Sequence, residues 1–220
     1  MSAKLFSMFL DMIFPPKCIF CREIISSGQF VCEKCGKEIL HTSGEKCIYL
    51  PGSGETILCT APYLYSGKIR ESILRFKFYG QKDFADFYAE SMSAQIGKSF
   101  PKARFDSVTS VPISGERYKA RGYNQSELLA SAVAKRLGLP YREYLVKLRN
   151  NREQHKLSEK ERRSNVRGVY RIKNGEQTTG KSVLLIDDIV TTGATLGECC
   201  CVLLNGGAKK VMCAAVARAL

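Results

Sequence analysis

Apolar and polar residues change rhythm several times along this chain, and the changes outline alternating strands and helices. Residues 182–186 form a continuous apolar run between turn formers, the pattern of a strand buried on both faces. Residues 60–65 and 105–111 read as further strands, the second ended by Pro112, and residues 211–217 as a last one. Residues 68–96 carry helical periodicity, broken near Gly80. Residues 125–137 predict a helix closed by Gly138 and Pro140, and residues 196–204 one ended by Asn205-Gly206-Gly207. Alternation at this spacing predicts an α/β fold, a mostly parallel sheet flanked by helices.

The first quarter of the chain reads differently. Cys18, Cys21, Cys32 and Cys35 form two C-x-x-C pairs with Ser26-Ser27-Gly28 as a turn between them. Each pair can present two thiolates from one knuckle, and two knuckles complete a tetrahedral shell around Zn2+. With all four ligands from Cys, no position stays open for chemistry, so the ion is expected to be structural. Cys47 and Cys59 stand alone; a second, irregular site with His41 is conceivable, but unpaired structural Cys is the simpler reading. Cys199, Cys200 and Cys201 fall in a predicted helix, and with Cys213 they read as small core residues. Pro51-Gly52-Ser53-Gly54 interrupts regular structure. The expected organisation is an N-terminal helix and zinc-ribbon module over residues 1–55 and an α/β domain over residues 56–220.

Length and charge narrow the classes. The 220 residues carry 34 Lys and Arg against 21 Asp and Glu, a net charge of +13. Residues 1–60 are neutral overall, whereas Arg142–Lys173 holds eleven basic side chains against four acidic. Such a stripe suits phosphate-bearing partners, nucleic acid or a polyphosphate metabolite. No apolar run approaches the ~18–20 residues of a membrane span. Residues 5–14 are apolar but short, broken by Asp11 and followed by Pro15-Pro16, so an amphipathic helix is expected rather than a signal peptide. The expected compartment is cytoplasmic, where thiols stay reduced and paired Cys favour metal over disulfides.

The chemistry concentrates after one strand. The run from Val183 to Ile186 delivers Asp187 and Asp188 to a strand's carboxyl end, the edge where open α/β sheets bind ligands. Thr191-Thr192-Gly193-Ala194-Thr195 then turns into a helix, with Thr195-x-x-Glu198 at capping-box spacing. Backbone N–H groups and hydroxyls of such a turn can cradle a phosphate, and Gly193 permits close approach. Carboxylates beside a phosphate cradle suit a ligand with a phosphate end and a hydroxyl-rich middle, a ribose phosphate.

This stretch resembles the 5-phosphoribosyl-1-diphosphate (PRPP) motif of type I phosphoribosyltransferases. The resemblance implies that Asp187 and Asp188 hold ribose hydroxyls, that Thr191, Thr192, Gly193, Ala194 and Thr195 hold the 5-phosphate, and that Mg2+ binds through pyrophosphate and ribose oxygens. Ser110-Val111-Pro112, followed by residues 116–125 (Glu-Arg-Tyr-Lys-Ala-Arg-Gly-Tyr-Asn-Gln), is similar to a segment of the ComF competence-protein family. So is the set Arg149, Gln154, Leu157, Arg162, Arg163, Asn165, Val166, Arg167, Gly168 and Tyr170. With the zinc ribbon, the resemblance covers nearly the whole chain. Members often show further paired Cys after the first ribbon, which Cys47 and Cys59 do not.

Two functions are implied. One is a cytoplasmic, PRPP-binding factor in natural transformation that handles incoming single-stranded DNA and partners a DNA translocase. The other is an active phosphoribosyltransferase passing phosphoribose from PRPP to a base or other acceptor. Arg117, Lys119 and Arg121 are candidates to meet the pyrophosphate. Arg149, Arg152, Lys156, Arg162, Arg163 and Arg167 are candidates for DNA or for a loop closing over PRPP. Tyr118, Tyr123, Tyr141 and Tyr144 are candidate stacking faces. No residue stands out as a general base, and the catalytic residues remain unassigned.

Overall fold

A computed structural model describes residues 12–42, 44–149 and 166–219. Its elements, in chain order, are α1 (Glu33–Glu38), β1 (Lys46–Tyr49), β2 (Thr56–Thr60), β3 (Tyr63–Leu64), α2 (Gly67–Phe78), α3 (Phe84–Ser99) and β4 (Ser107–Ser110). There follow α4 (Gly115–Arg121), α5 (Gln125–Leu137), β5 (Leu145–Lys147), β6 (Tyr170–Ile172), β7 (Ser182–Val190), α6 (Ala194–Asn205) and β8 (Lys210–Arg218).

The large sheet runs β1-β2-β8-β7-β4, with β3 also pairing β8. All its pairings are parallel except the β1–β2 hairpin at one edge. This is the expected α/β architecture. The strand expected over residues 60–65 is split into β2 and β3 at Pro62, which has no N–H for the ladder. The hairpin spans the expected division between residues 55 and 56, so the sheet draws its edge strand from the N-terminal segment.

Strand alternation sorts the core into two halves. Leu184, Ile186, Met212, Ala214 and Val216 face α2, α3 and α5, whose Ile73, Phe76, Tyr88, Met92 and Leu129 complete one cluster. Val183, Leu185, Val211, Cys213 and Ala215 face α6 and the antiparallel β5–β6 ribbon. Cys199, Cys200 and Cys213 are fully buried there, as small core residues.

The cysteine knuckles pack on the first half. Cys18, Ile19, Phe20 and Cys35 belong to its core. Arg75 of α2 donates to the carbonyls of Ile19 (2.7 Å) and Phe20 (2.9 Å), and Lys68 of α2 donates to the Cys35 thiol sulfur at 3.0 Å and pairs with Glu38 at 3.0 Å. Helix α2 therefore joins the N-terminal module to the sheet.

Candidate functional site

β4 stops pairing at Ser110, opposite Ile186, while β7 continues beside β8 to Val190. The chain leaving β4 returns as α5 on one face of the sheet, and the chain leaving β7 returns as α6 on the other. The carboxyl ends of β4 and β7 thus border a crevice, the place where an open α/β sheet takes its ligand. Asp187 and Asp188 are the first residues of β7 beyond that last pairing. They lie inside the strand, which extends four residues past the expected end at residue 186.

Both carboxylates are already engaged. Ser126, in the first turn of α5, donates its hydroxyl to Asp187 Oδ1 at 2.8 Å, and the Asp188 N–H donates to the same oxygen at 2.9 Å. Ser126 is placed by Asn124, the N-cap of α5, whose side chain accepts from the Ser126 N–H and donates to the Val111 carbonyl. Asp188 Oδ2 meets the Lys77 ammonium, from the last turn of α2, at 2.8 Å. Burial, and then the neighbouring Asp188 charge, push the Asp187 carboxyl up to about 7.

The turn behind the carboxylates forms a shallow concavity lined by Asp187, Ile189, Val190, Thr191, Gly193, Ala194, Thr195 and Leu196. Gly193 is the N-cap of α6 at φ +80°, and a Cβ there would lie 2.5 Å from Ile48 Cδ1. Lys46 of β1 donates to the Thr191 carbonyl, so the edge hairpin holds this turn. The expected Thr195–Glu198 capping box does not form. Thr195 lies inside the helix, and Glu198 instead accepts from the Gly168 N–H at 2.6 Å.

Of the pyrophosphate candidates, Arg117, Lys119 and Arg121 all lie on α4, a short helix closed by Gly122 at φ +76°. Arg121 donates to Gln125 Oε1 at 3.0 Å and stacks on the Phe78 ring. Arg117 lies close enough to Lys147 of β5 that, after burial, it is the next cause holding the Lys147 ammonium down at about 8; Asp187 acts on the same group in the opposite sense. Of the loop candidates, Arg149 donates to the Arg167 carbonyl at 3.4 Å. Arg152, Lys156, Arg162 and Arg163 lie outside the described residues. Tyr118 is exposed, but Tyr123 and Tyr144 are buried core residues rather than stacking faces, and Tyr141, half-buried against the core, hydrogen-bonds Ser110 at the sheet.

The four cysteine sulfurs lie within 4.8 Å of one another. A tetrahedral shell at the usual ~2.3 Å zinc–sulfur length needs sulfurs roughly 3.8 Å apart, so the cluster fits a structural Zn2+. Among the described residues it is the one cluster able to hold a metal. Cys47 pairs across the hairpin with Leu58, whereas Cys59 pairs with Lys46. Their side chains therefore leave opposite faces and do not converge.

Residues 9–51 match the double zinc ribbon domain model, and residues 124–220 match the phosphoribosyl transferase domain model. Over 81% of its length the chain is 30% identical to Competence protein ComFC of Bacillus subtilis (strain 168), covering 74% of that protein. Over 84% it is 32% identical to Competence protein ComFC of Streptococcus pneumoniae, covering 79%. The chain belongs to the ComF family. It is also 26% identical, over 82% of its length, to DNA utilization protein YhgH of Salmonella typhimurium, covering 81% of it. The phosphoribosyltransferase-like fold with an N-terminal zinc ribbon is thus established for this ComF member. Among the described residues, no helix is long and apolar enough to cross a membrane.

Sequence reasoning missed four polar residues of the crevice: Lys46, Lys77, Ser126 and Lys147. Lys46, Lys77 and Ser126 reach it from elements remote in sequence, and Lys147 stood unremarked within the basic stripe. The Asn124 N-cap signal before a predicted helix could have flagged Ser126.

Proposed function

We propose that this ComF protein binds Mg2+-PRPP in the β4–β7 crevice and handles single-stranded DNA during its uptake in the cytoplasm. The observation that carries the PRPP limb is the Asp187–Asp188 pair at the strand end, backed by the Thr191–Thr195 turn and bordered by Lys77, Arg117 and Lys147. The carboxylates would accept from ribose hydroxyls. Turn N–H groups and threonine hydroxyls would take the 5-phosphate, and the cations would face the pyrophosphate. Two adjacent carboxylates, one paired with Lys77, offer little for a bare Mg2+, so the ion is expected to arrive on the ligand's own oxygens. When bound it would neutralise pyrophosphate charge.

The DNA limb draws on the net charge of +13 and on the relatives named for competence and DNA utilization. A DNA translocase of the uptake machinery is the expected protein partner.

Calorimetric titration with Mg2+-PRPP, beside Asp187→Asn/Asp188→Asn, tests the pocket. Micromolar binding lost in the double variant supports it, and no binding in the parent protein refutes it. Phosphoribosyl transfer is the second reading, favoured by Asp187, a carboxyl poised near neutrality beside the place for the sugar. Pyrophosphate release with a nucleobase present would establish it.

A further inference from the structure

Three of the five exposed aromatic side chains among the described residues belong to the end of α2 and to α4, which Arg121 joins. Phe78 and Tyr79 end α2 and are 59% and 73% exposed; Tyr118 of α4 is 50% exposed. The Arg121 guanidinium lies 4.8 Å from the Phe78 ring centroid and ties the two helix ends together. Tyr118 precedes Arg121 by three residues, so the two share a helix face. Gln125 fixes the arrangement, accepting from Arg121 while donating to the Lys77 carbonyl at 3.2 Å. Lys82 and Lys119 are exposed, and the Lys82 ammonium lies 5.1 Å from the Tyr123 ring centroid.

Water-facing aromatic rings among cations match an unpaired strand, whose bases expose π faces and whose phosphates carry the complementary charge. A duplex hides those faces in its own stack. A protein partner would need a drier patch than one edged by Lys82, Lys119 and Arg121. The surface also leads towards the basic segment, because Arg117, on the same helix, approaches Lys147 just before Arg149.

We propose that single-stranded DNA lies across the end of α2 and α4, its bases stacked on Phe78, Tyr79 and Tyr118 and its phosphates beside Lys82 and Lys119. This rests on the DNA limb of the function above and assigns the contacts to residues of α2 and α4 and to Lys82, rather than to the basic residues of 149–167 that the sequence offered. The crevice and the strand surface then meet at consecutive residues, Lys77 facing Asp188 and Phe78 facing solvent.

The test is fluorescence anisotropy of the zinc-loaded full chain with a labelled oligothymidine, its abasic counterpart and a duplex. Tyr79→Ala/Tyr118→Ala is expected to weaken oligothymidine binding on the order of tenfold or more with the salt slope unchanged. Tyr118→Phe should retain affinity, and Leu58→Ala, an exposed change on β2, should leave it unaltered. On the abasic strand the double tyrosine variant should bind like the parent. Lys82→Gln/Lys119→Gln should shrink the salt slope by about 1–1.5. Parent binding that the tyrosine changes leave intact, an equal loss on the abasic strand, or duplex bound as well as single strand each overturn this surface while the DNA reading stands. A parent chain that binds no strand at low salt overturns that reading, and the surface with it.

Discussion

Lys77 and Asp188 meet at 2.8 Å, joining the last turn of α2 to the carboxyl end of β7. The contact lets two adjacent carboxylates sit together in a crevice, because one of them has a cation against it. It also ties the crevice to α2, the helix on which the cysteine knuckles rest through Arg75 and Lys68.

Removing the cation leaves a carboxylate enclosed beside another carboxylate. Lys77→Met is expected to destabilise the protein by roughly 1–3 kcal/mol at pH 8, below the range for fully buried pairs because both partners keep some exposure. Lys77→Met/Asp188→Asn should recover part of the loss. Urea unfolding of the four proteins in the cycle measures the coupling, and additive effects would show that the pair contributes nothing of its own.

Asp187 supplies the pH dependence. Its carboxyl is raised to about 7 in the fold, so between the ordinary carboxylate range and about 7 the native state holds a proton that the unfolded chain has released. Stability without ligand should therefore fall as pH rises through that window, by at most about 1.4 kcal/mol per pH unit, and level off above it. Asp187→Asn should flatten the slope. Mg2+-PRPP affinity should move the other way and rise towards pH 8, since the ionised carboxylate accepts from ribose hydroxyls. Denaturation and calorimetry from pH 5 to 8 read both trends.

Two glycines mark how tightly the edge hairpin holds the phosphate turn. A Cβ at Gly193 meets the Ile48 side chain, which can rotate away, whereas a Cβ at Gly197 lies 2.4 Å from the Tyr49 carbonyl, which belongs to the strand backbone. Gly197→Ala is expected to cost roughly 2–4 kcal/mol through displacement of β1. Gly193→Ala should cost about 1–2 kcal/mol, mainly because its left-handed φ suits no Cβ, and should damage ligand binding more than its stability loss accounts for. Thermal melts beside ligand titrations separate the two effects.

The strands and helices of the large sheet were legible because their buried faces impose period and length, as at residues 182–186 and 125–137. The Asp187-to-Thr195 stretch was legible because all its groups are consecutive. Lys77 and Ser126 were not, since their role arises only when α2 and α5 pack against the end of β7. The β5–β6 ribbon was hidden by its two three-residue strands, too short for alternation to register. Tyr123 and Tyr144 misled because a tyrosine in a basic, polar stretch looks solvated. Here their rings fill the core while their hydroxyls bond to the Phe76 carbonyl and the Ser107 hydroxyl.

Zinc removal should act beyond the knuckles. Ile19 and Phe20, held between Cys18 and Cys21, are 3% and 5% exposed and pack in the same core as Phe76 and Tyr88. Losing the ion would free both and release Arg75 and Lys68 from their partners. Chelation, or Cys35→Ser, is expected to lower the melting temperature by several degrees, at roughly 4 °C or less per kcal/mol for a chain of this size. Zinc should restore the chelated protein but not the variant. A melt unchanged by a strong chelator that does strip the zinc would show that α2 is anchored without it.

Because Lys77 and Phe78 are consecutive, the crevice and the exposed aromatic surface share one helix end. A PRPP molecule in the crevice would bring several negative charges close to α4, the helix that carries Lys119, one of the cations the strand would otherwise use. Mg2+-PRPP is therefore expected to weaken single-strand binding about three- to tenfold at low salt, less as salt screens the repulsion. Linkage then requires the strand to weaken PRPP binding by the same factor. Anisotropy titrations with and without PRPP, matched by calorimetry with and without strand in one buffer, give both factors. Equal factors above unity establish the coupling, factors of unity show independent sites, and unequal factors reject a shared equilibrium. Lys77→Met, which cuts the link at α2 but leaves Lys82 and Lys119 in place, should retain the charge repulsion. Any further drop in coupling would measure the share carried through the helix.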